Sequence, residues 1–237
     1  MNQLWQSFIP RHVVADFQNF PQRSPLGREQ RFSAVVLFAD VSGFTNISEA
    51  LGQNGRQGTE ELTTILNSYF TPMIDLVQHF GGIVGKFGGD AMTVFFPYTP
   101  QTKQATVRRA IQCALDMQAK MESYQAIPTT VGTFGLAMKA GLAAGPLFCT
   151  SIGDDEIRLE YIIAGSVLDV SADAEHHASR GEVVIASDLL PFAGKVNIDE
   201  ARGDFTCINT LRHRAKSKPL FSSLQLNKID SPYIPLY

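Results

Sequence analysis

The sequence predicts an α+β fold in which helices pack against one antiparallel sheet. Runs rich in β-branched and aromatic residues alternate with longer segments whose apolar residues are spaced three and four apart. Their order is strand, helix, hairpin, helix, strand, followed by a further strand, a helix and two strands. The first part of this order is the ferredoxin-like βαββαβ plan, in which the first and third strands lie side by side at the centre of the sheet.

Each element is predicted from its own pattern. Residues 32–39 are a crowded run of apolar residues, which indicates a buried strand that Asp40 ends. Residues 59–80 keep helical spacing, and Pro72 is expected to kink this helix. The remaining predictions are a hairpin at 83–96, a helix at 102–125, strands at 134–144 and 157–164, a helix at 167–179, and strands at 183–186 and 204–210.

Composition excludes several classes of protein. Of the 237 residues, 44% are apolar and 18% are charged, against roughly 25% charged in an average domain, so the chain is globular. A net charge of -3 supplies no strong field for nucleic acid or an anionic membrane, and we expect neither as a partner. Apolar runs such as 141–149 are too short for a membrane helix, and residues 1–10 do not resemble a secretory signal. The expected location is the cytoplasm.

Two acidic residues are the strongest candidates for chemistry. Asp40 follows the first strand, and Asp90 lies in the Gly88-Gly89-Asp90 turn that opens the third. Because these strands are predicted to be neighbours, the two carboxylates should meet at one edge of the sheet. Carboxylates without histidine or cysteine suit Mg²⁺, and two ions about 3.5–4 Å apart can clamp both oxygens of a phosphoryl displacement. The alternative is that Asp40 is a helix cap and Asp90 a turn residue.

The turn after Asp40 supports a phosphate ligand. Residues 42–45, Ser-Gly-Phe-Thr, lead into a short predicted helix, whose first N–H groups would face a polyphosphate. A Walker A loop is excluded at Gly85-Lys86, because Phe87 stands where that motif places its Mg²⁺-binding hydroxyl.

The stretches Phe-Ala-Asp-Val-Ser-Gly-Phe-Thr at 38–45 and Lys-Phe-Gly-Gly-Asp-Ala at 86–91 resemble motifs of the class III nucleotide cyclases, in particular the branch of the bicarbonate-responsive soluble adenylyl cyclases. The resemblance extends over about residues 32–190. It implies two Mg²⁺ ions, for which Mn²⁺ can substitute, and ATP as substrate. The implied reaction is attack of the 3′-hydroxyl on the α-phosphorus, giving cyclic AMP and pyrophosphate. The residues implied are Asp40, Asp90 and the Val41 carbonyl as metal ligands, and Gly43, Phe44, Thr45, Lys86 and Gly89 at the nucleotide.

Departures from the family pattern lie between 160 and 175. Ile162 stands where a complete cyclase half has its adenine-reading residue, and Asp169 and Asp173 stand where it has an asparagine and an arginine that stabilise the transition state. This is the pattern of the first, metal-binding half of a two-halved enzyme, so a second cyclase half is the expected partner. In such halves the lysine at this position, Lys86 here, lines a degenerate second pocket. Ala172 stands where the family's bicarbonate-binding arginine would be.

The resemblance also suggests a division of the chain. Residues 1–31 form an N-terminal docking arm, 32–190 the cyclase homology domain, 191–222 strands that complete it, and 223–237 a linker toward the second half. Two other functions stay open. One is a catalytically inactive cyclase-like regulatory or nucleotide-binding module. The other is a diguanylate cyclase, which shares Gly-Gly-Asp in a hairpin, although Ala91-Met92 replaces the acid and aromatic that normally follow.

Overall fold

A computed structural model describes residues 11–154 and 158–219. Six helices and ten strands form in these residues. The helices are α1 (Arg11–Asn19), α2 (Phe44–Gly52), α3 (Gly55–His79), α4 (Lys103–Met121), α5 (Ser166–His176) and α6 (Leu190–Ala193). The strands are β1 (Gln30–Ser42), β2 (Ile83–Gly88), β3 (Ala91–Tyr98), β4 (Ile127–Thr129), β5 (Gly132–Phe134), β6 (Ala137–Asp154), β7 (Arg158–Ala164), β8 (Val183–Ala186), β9 (Val196–Arg202) and β10 (Phe205–Leu211).

One sheet contains eight of the strands, in the order β2-β3-β1-β6-β8-β10-β9, with β7 paired to the later part of β6. The predicted central position of β1 is confirmed, because β1 is antiparallel to β3 on one side and to β6 on the other. The sheet is mixed rather than wholly antiparallel as predicted. β6 and β8 run parallel because α5 carries the chain back across the sheet between β7 and β8.

The central strand is buried on both faces, which explains its uninterrupted apolar sequence. Val35 and Leu37 pack into the larger core, which α3 and α4 cover. Ala34 and Val36 alternate with them and pack on the opposite face, where α5 contributes Val167. The period of two along β1 therefore decides which side chains meet each helical layer.

Helix α5 lies unusually close to the sheet because residue 141 is a glycine. A Cβ atom added to Gly141 would lie 2.2 Å from the Glu175 backbone nitrogen and 2.3 Å from the Ser171 carbonyl oxygen. Only a residue without a side chain leaves room for this contact between β6 and α5. The contact sets the position of every side chain that α5 presents to the sheet.

The bounds of the first strand and of α3 differ from the predicted ones, and the arm contains a helix that was not predicted. The first strand continues to Ser42, past Asp40, because β6 pairs with it as far as Ala137. The predicted arm contains helix α1, and the Gly27 N–H of the arm donates to the Ser151 carbonyl oxygen of β6. α3 begins earlier than predicted and passes through Pro72 as one helix of 25 residues.

Some predictions fall outside the described residues, namely the start of the docking arm at 1–10 and the linker at 223–237. Within 11–154 and 158–219, none of the helices combines the length and the apolar character that crossing a bilayer requires.

Candidate active site

One predicted metal ligand lies on β1 and the other in the turn that opens the neighbouring strand β3, at the same edge of the sheet. Asp40 is half-buried in β1, and its neighbour Ala39 is paired with Met92 of β3. Gly88 pairs with Ala91 across the β2–β3 hairpin, which leaves Gly89 and Asp90 as its two-residue turn. Asp90 therefore lies beside the end of β1 that carries Asp40.

The electrostatics of Asp40 indicate a concentration of negative charge. Burial is the largest factor that raises the pKa of this carboxyl, and the charges of Glu175 and Asp90 raise it further. Lys139 and a hydrogen bond from the Val41 N–H lower it in part. A carboxyl that is disfavoured in its ionised form by burial and by nearby negative charge suits a hard divalent cation, because the added positive charge offsets both effects.

A buried tyrosine lies close to both acids. Tyr69 of α3 is 3% exposed, and burial, followed by the charges of Asp40 and Asp90, raises the pKa of its phenol. It packs edge to face against Tyr124. Helical spacing predicted Tyr69 only as an apolar core position. Nothing in the spacing of this helix distinguishes Tyr69 from the other core positions as a site residue.

Gly43 shapes the turn from β1 into α2. Its φ of 100° is in the left-handed region that favours glycine, and a Cβ there would lie 2.3 Å from the Gly135 carbonyl oxygen. The next residues, Phe44 and Thr45, are the first of α2, where backbone N–H groups have no partner within the helix. The expected short helix is confirmed, and its N-terminus follows Asp40 by only four residues.

The hairpin presents two predicted nucleotide contacts. Lys86 is exposed on β2 and pairs with Thr93, next to an irregularity in the register at Gly85. Gly89 has a φ of 68°, which lets the turn close directly before Asp90. Phe87, 45% exposed, stacks edge to face on Phe70 of α3 and so anchors the hairpin to the helix.

These features agree with the match found between this chain and known proteins. Residues 28–207 match the adenylate and guanylate cyclase catalytic domain. The chain belongs to this family. The cyclase domain is 29% identical over 192 residues to adenylate cyclase type 10 of Mus musculus, a match that covers 80% of this chain. It spans 11% of the length of the mouse protein, so the chain corresponds to about a tenth of that relative.

Solved structures confirm the class III cyclase fold. The adenylyl cyclase CyaB from P. aeruginosa aligns with a TM-score of 0.62 at 23% identity, over 76% of this chain and 95% of that chain. The guanylyl cyclase Cya2 aligns with a TM-score of 0.58 at 29% identity, over 76% of this chain and 91% of that chain.

The three residues predicted to depart from the family pattern are exposed. Ile162 is 37% exposed on β7, opposite Thr150. Asp169 and Asp173 are exposed and one turn apart on α5, on the side away from the buried Ser171. They are available to contact a partner rather than to support the sheet.

Two charged residues near the site were missed. Lys139 of β6 is the register partner of Asp40, and its ammonium forms an ion pair with Glu175 of α5. A signal for Glu175 was present, because helical spacing from Val167 and Ser171 places it on the apolar face of α5. An acid on a buried face needs a cation, and only the tertiary structure identifies Lys139.

A second acidic group lies in the part of the chain that the structure describes, around Glu182, Asp199 and Cys207, whose ligand atoms are within 4.8 Å of one another. Arg202 already binds Glu182 through two nitrogens, at 2.6 and 3.1 Å. Burial is the largest factor that raises the pKa of the Cys207 thiol, which disfavours the thiolate that binds metal. The Arg202–Glu182 ion pair therefore already satisfies this group, and the Asp40 and Asp90 edge is the better candidate.

Proposed function

We propose that the chain is the metal-binding half of an adenylyl cyclase, which forms cyclic AMP and pyrophosphate from ATP when a second cyclase half completes its site. The observation that carries the proposal is that Asp40 on β1 lies beside Asp90 in the turn that opens β3, and that the Gly43 turn and the N-terminus of α2 follow Asp40 directly. A cytoplasmic location, where ATP is available, belongs to the same proposal.

Each part of this edge has a role in the proposed reaction. Asp40, Asp90 and the Val41 carbonyl would hold two Mg²⁺ ions, which when bound neutralise the phosphate charge and favour deprotonation of the 3′-hydroxyl. The first N–H groups of α2, at Phe44 and Thr45, would donate to the β- and γ-phosphates, with Gly43 bordering them. The 3′-hydroxyl releases its proton to water as a bond forms between the 3′-oxygen and the α-phosphorus. The bond from that phosphorus to the bridging oxygen breaks, and pyrophosphate leaves with the bonding electrons.

The missing functions define the partner. Asp173 stands in the position of the family's arginine. Its carboxylate would repel the negative charge that develops on the phosphate, whereas a hydrogen-bond donor there would stabilise the transition state by several kcal/mol. Ile162 offers no polar atom to read a base. The second half would therefore supply the base-reading residue, the asparagine and the arginine, and the exposed Asp169 and Asp173 would face it.

The alternative is a cyclase-like module that binds nucleotide or a partner half without turnover. The observation that favours it is the same exposed pair of acids, Asp169 and Asp173, which leaves the chain alone without a transition-state cation. The two functions differ in one measurable property, which is cyclic nucleotide formation in the presence of a competent partner.

The test mixes the purified chain with a cyclase half that carries the asparagine and arginine, supplies ATP or GTP with Mg²⁺ or Mn²⁺, and measures the cyclic AMP or cyclic GMP formed. Asp40→Ala and Asp90→Ala should each abolish turnover while leaving the circular dichroism spectrum unchanged. Asp75→Ala is the matched control, because Asp75 is an exposed acid on α3. Full activity of either site variant would end the metal hypothesis, and nucleotide binding without turnover would favour the regulatory module.

A second experiment tests the division of labour. The chain alone should have negligible activity, and Asp169→Asn with Asp173→Arg, with Ile162→Asp as a third change, should raise the activity of its homodimer above background. Robust activity of the unmodified chain, retained after purification to homogeneity, would show that these three positions do not have the roles assigned to them.

A further inference from the structure

Three charged side chains meet on the face of the sheet that α5 covers. Asp40 and Lys139 are direct partners in the β1–β6 register. Such partners carry their side chains on the same face, with Cβ atoms about 4.5–5.5 Å apart. Lys139 forms its ion pair with Glu175, whose side chain is 3% exposed. The lysine is therefore within reach of two carboxylates and is engaged by one of them.

We propose that Glu175 is a positioning residue, which holds the Lys139 ammonium away from Asp40 so that Asp40 stays free to bind a divalent cation. This inference rests on the proposed function, because it concerns the same metal site. The flexible stem and compact ammonium of a lysine can reach either acid. A lysine paired with Asp40 would occupy the place of the metal ion with an ammonium group, which cannot act as a Lewis acid that coordinates carboxylate and phosphate oxygens together.

Burial explains why Lys139 pairs with Glu175 in preference to Asp40. A carboxylate out of contact with water requires a counter-charge, whereas the half-exposed Asp40 can be hydrated or bind a metal ion. Glu175 also has little freedom to move, because α5 contacts β6 at Gly141, where an added Cβ would lie 2.2 Å from the Glu175 nitrogen. The carboxylate is thus a fixed point on which the lysine is held.

The remaining surroundings of Glu175 leave Lys139 as its main counter-charge. His176 Nε2 lies 3.8 Å from Glu175 Oε2, and the histidine side chain is 71% exposed. Lys139 Nζ forms an ion pair with Glu175 Oε1. Because this pair depends on the negative charge of Glu175, removal of that charge should release the lysine.

The test measures Mn²⁺ binding to the full chain without nucleotide, from the electron paramagnetic resonance signal of the free ion. Glu175→Gln preserves the side-chain volume and should weaken Mn²⁺ binding by about tenfold or more, the usual effect of losing a residue that orients a metal ligand. Lys139→Met should bind Mn²⁺ at least as tightly as the unmodified chain. The double variant should recover most of the affinity that Glu175→Gln loses, and Asp75→Asn is the matched surface control.

Competition between lysine and metal makes a specific prediction for the double variant. If it binds Mn²⁺ as weakly as Glu175→Gln, the loss comes from the missing negative charge, and the inference is overturned. Unchanged affinity of Glu175→Gln overturns it as well. If Glu175→Gln does not fold, Lys139→Met decides the matter, because weaker binding by that variant would show that the lysine supports Asp40 instead of competing with the metal.

A metal-free crystal structure of Glu175→Gln supplies an independent measurement. It should show Lys139 Nζ within ion-pair distance of Asp40, and a lysine that stays at residue 175 or turns to solvent would contradict the inference. These results are separable from the proposed function. Normal Mn²⁺ binding without cyclic AMP formation would refute the catalytic proposal and leave the positioning role intact.

Discussion

The contact between α5 and the sheet can be tested by adding one methyl group. In Gly141→Ala the new Cβ would lie 2.2 Å from the Glu175 nitrogen, 2.3 Å from the Ser171 oxygen and 2.8 Å from the Glu175 Cα. Ordinary contact between such atoms is about 3.5 Å, so the helix would have to move by roughly 1 Å. All three atoms belong to the helix backbone, and no rotamer change can relieve the overlap.

The size of the effect follows from this geometry. Overpacking of a well-packed interior costs about 1–3 kcal/mol, and a rigid backbone on the opposite side favours the upper part of that range. For a chain of this length each kcal/mol lowers Tm by about 2–4 °C, so Gly141→Ala should melt about 2–12 °C below the unmodified protein. Because the displaced helix carries Glu175, Mn²⁺ affinity should fall as well.

The assay is thermal and urea denaturation followed by circular dichroism in metal-free buffer. Gly52→Ala is the matched control, because a Cβ at Gly52 meets no atom within 4 Å and the residue ends helix α2. We expect the control to be as stable as the unmodified chain or slightly more stable. If Gly141→Ala equals this control in Tm and in urea midpoint, the argument for a close helix contact is refuted.

Three further predictions concern charge and backbone conformation. Asp40 has a pKa above its ordinary 3.8, so its ionised form destabilises the fold. Asp40→Asn should therefore raise the metal-free Tm at pH 7. This gain in Tm should vanish below pH 3.8, where the carboxyl is protonated in both the folded and the unfolded chain. Mg²⁺ should then raise Tm for the unmodified chain only. Gly43→Ala should cost about 1–3 kcal/mol in urea denaturation and weaken ATP binding, because φ is 100° and the Gly135 oxygen leaves no space. Hydrogen bonds from Arg202 lower the pKa of Glu182 below its ordinary 4.5, and this interaction stabilises the fold above that pH. Arg202→Met should therefore lower Tm at pH 7. The Tm values of the variant and of the unmodified chain should converge as the pH is lowered and Glu182 becomes protonated.

Local patterns in the sequence determined most of the elements and the candidate metal ligands. The mostly apolar run at 32–39 predicted the central strand, because a strand covered on both faces carries apolar residues on both. The hairpin around Asp90 was marked by its glycines, and the order of elements placed that hairpin beside the first strand. Proximity of Asp40 and Asp90 could therefore be inferred, although they are fifty residues apart.

Elements without a local signal depended on tertiary pairing. The residues of β9 are half-buried or exposed and include charged side chains, so their strand conformation depends on hydrogen bonds to β10. The extension of β1 beyond Asp40 likewise depends on β6, which supplies partners as far as Ala137. Neither partner can be identified from the spacing of residues within one segment.

Only the tertiary structure decided which charged residues lie around Asp40. Lys139 looks like an ordinary lysine in a strand, and Glu175 like an acid near the end of a helix, 36 residues later in the chain. Their ion pair exists because the β1–β6 register places Lys139 beside Asp40, and because Gly141 lets α5 approach closely enough to bury Glu175 against it. Register and the distance between layers are properties of packed elements, so no single stretch of sequence contains them.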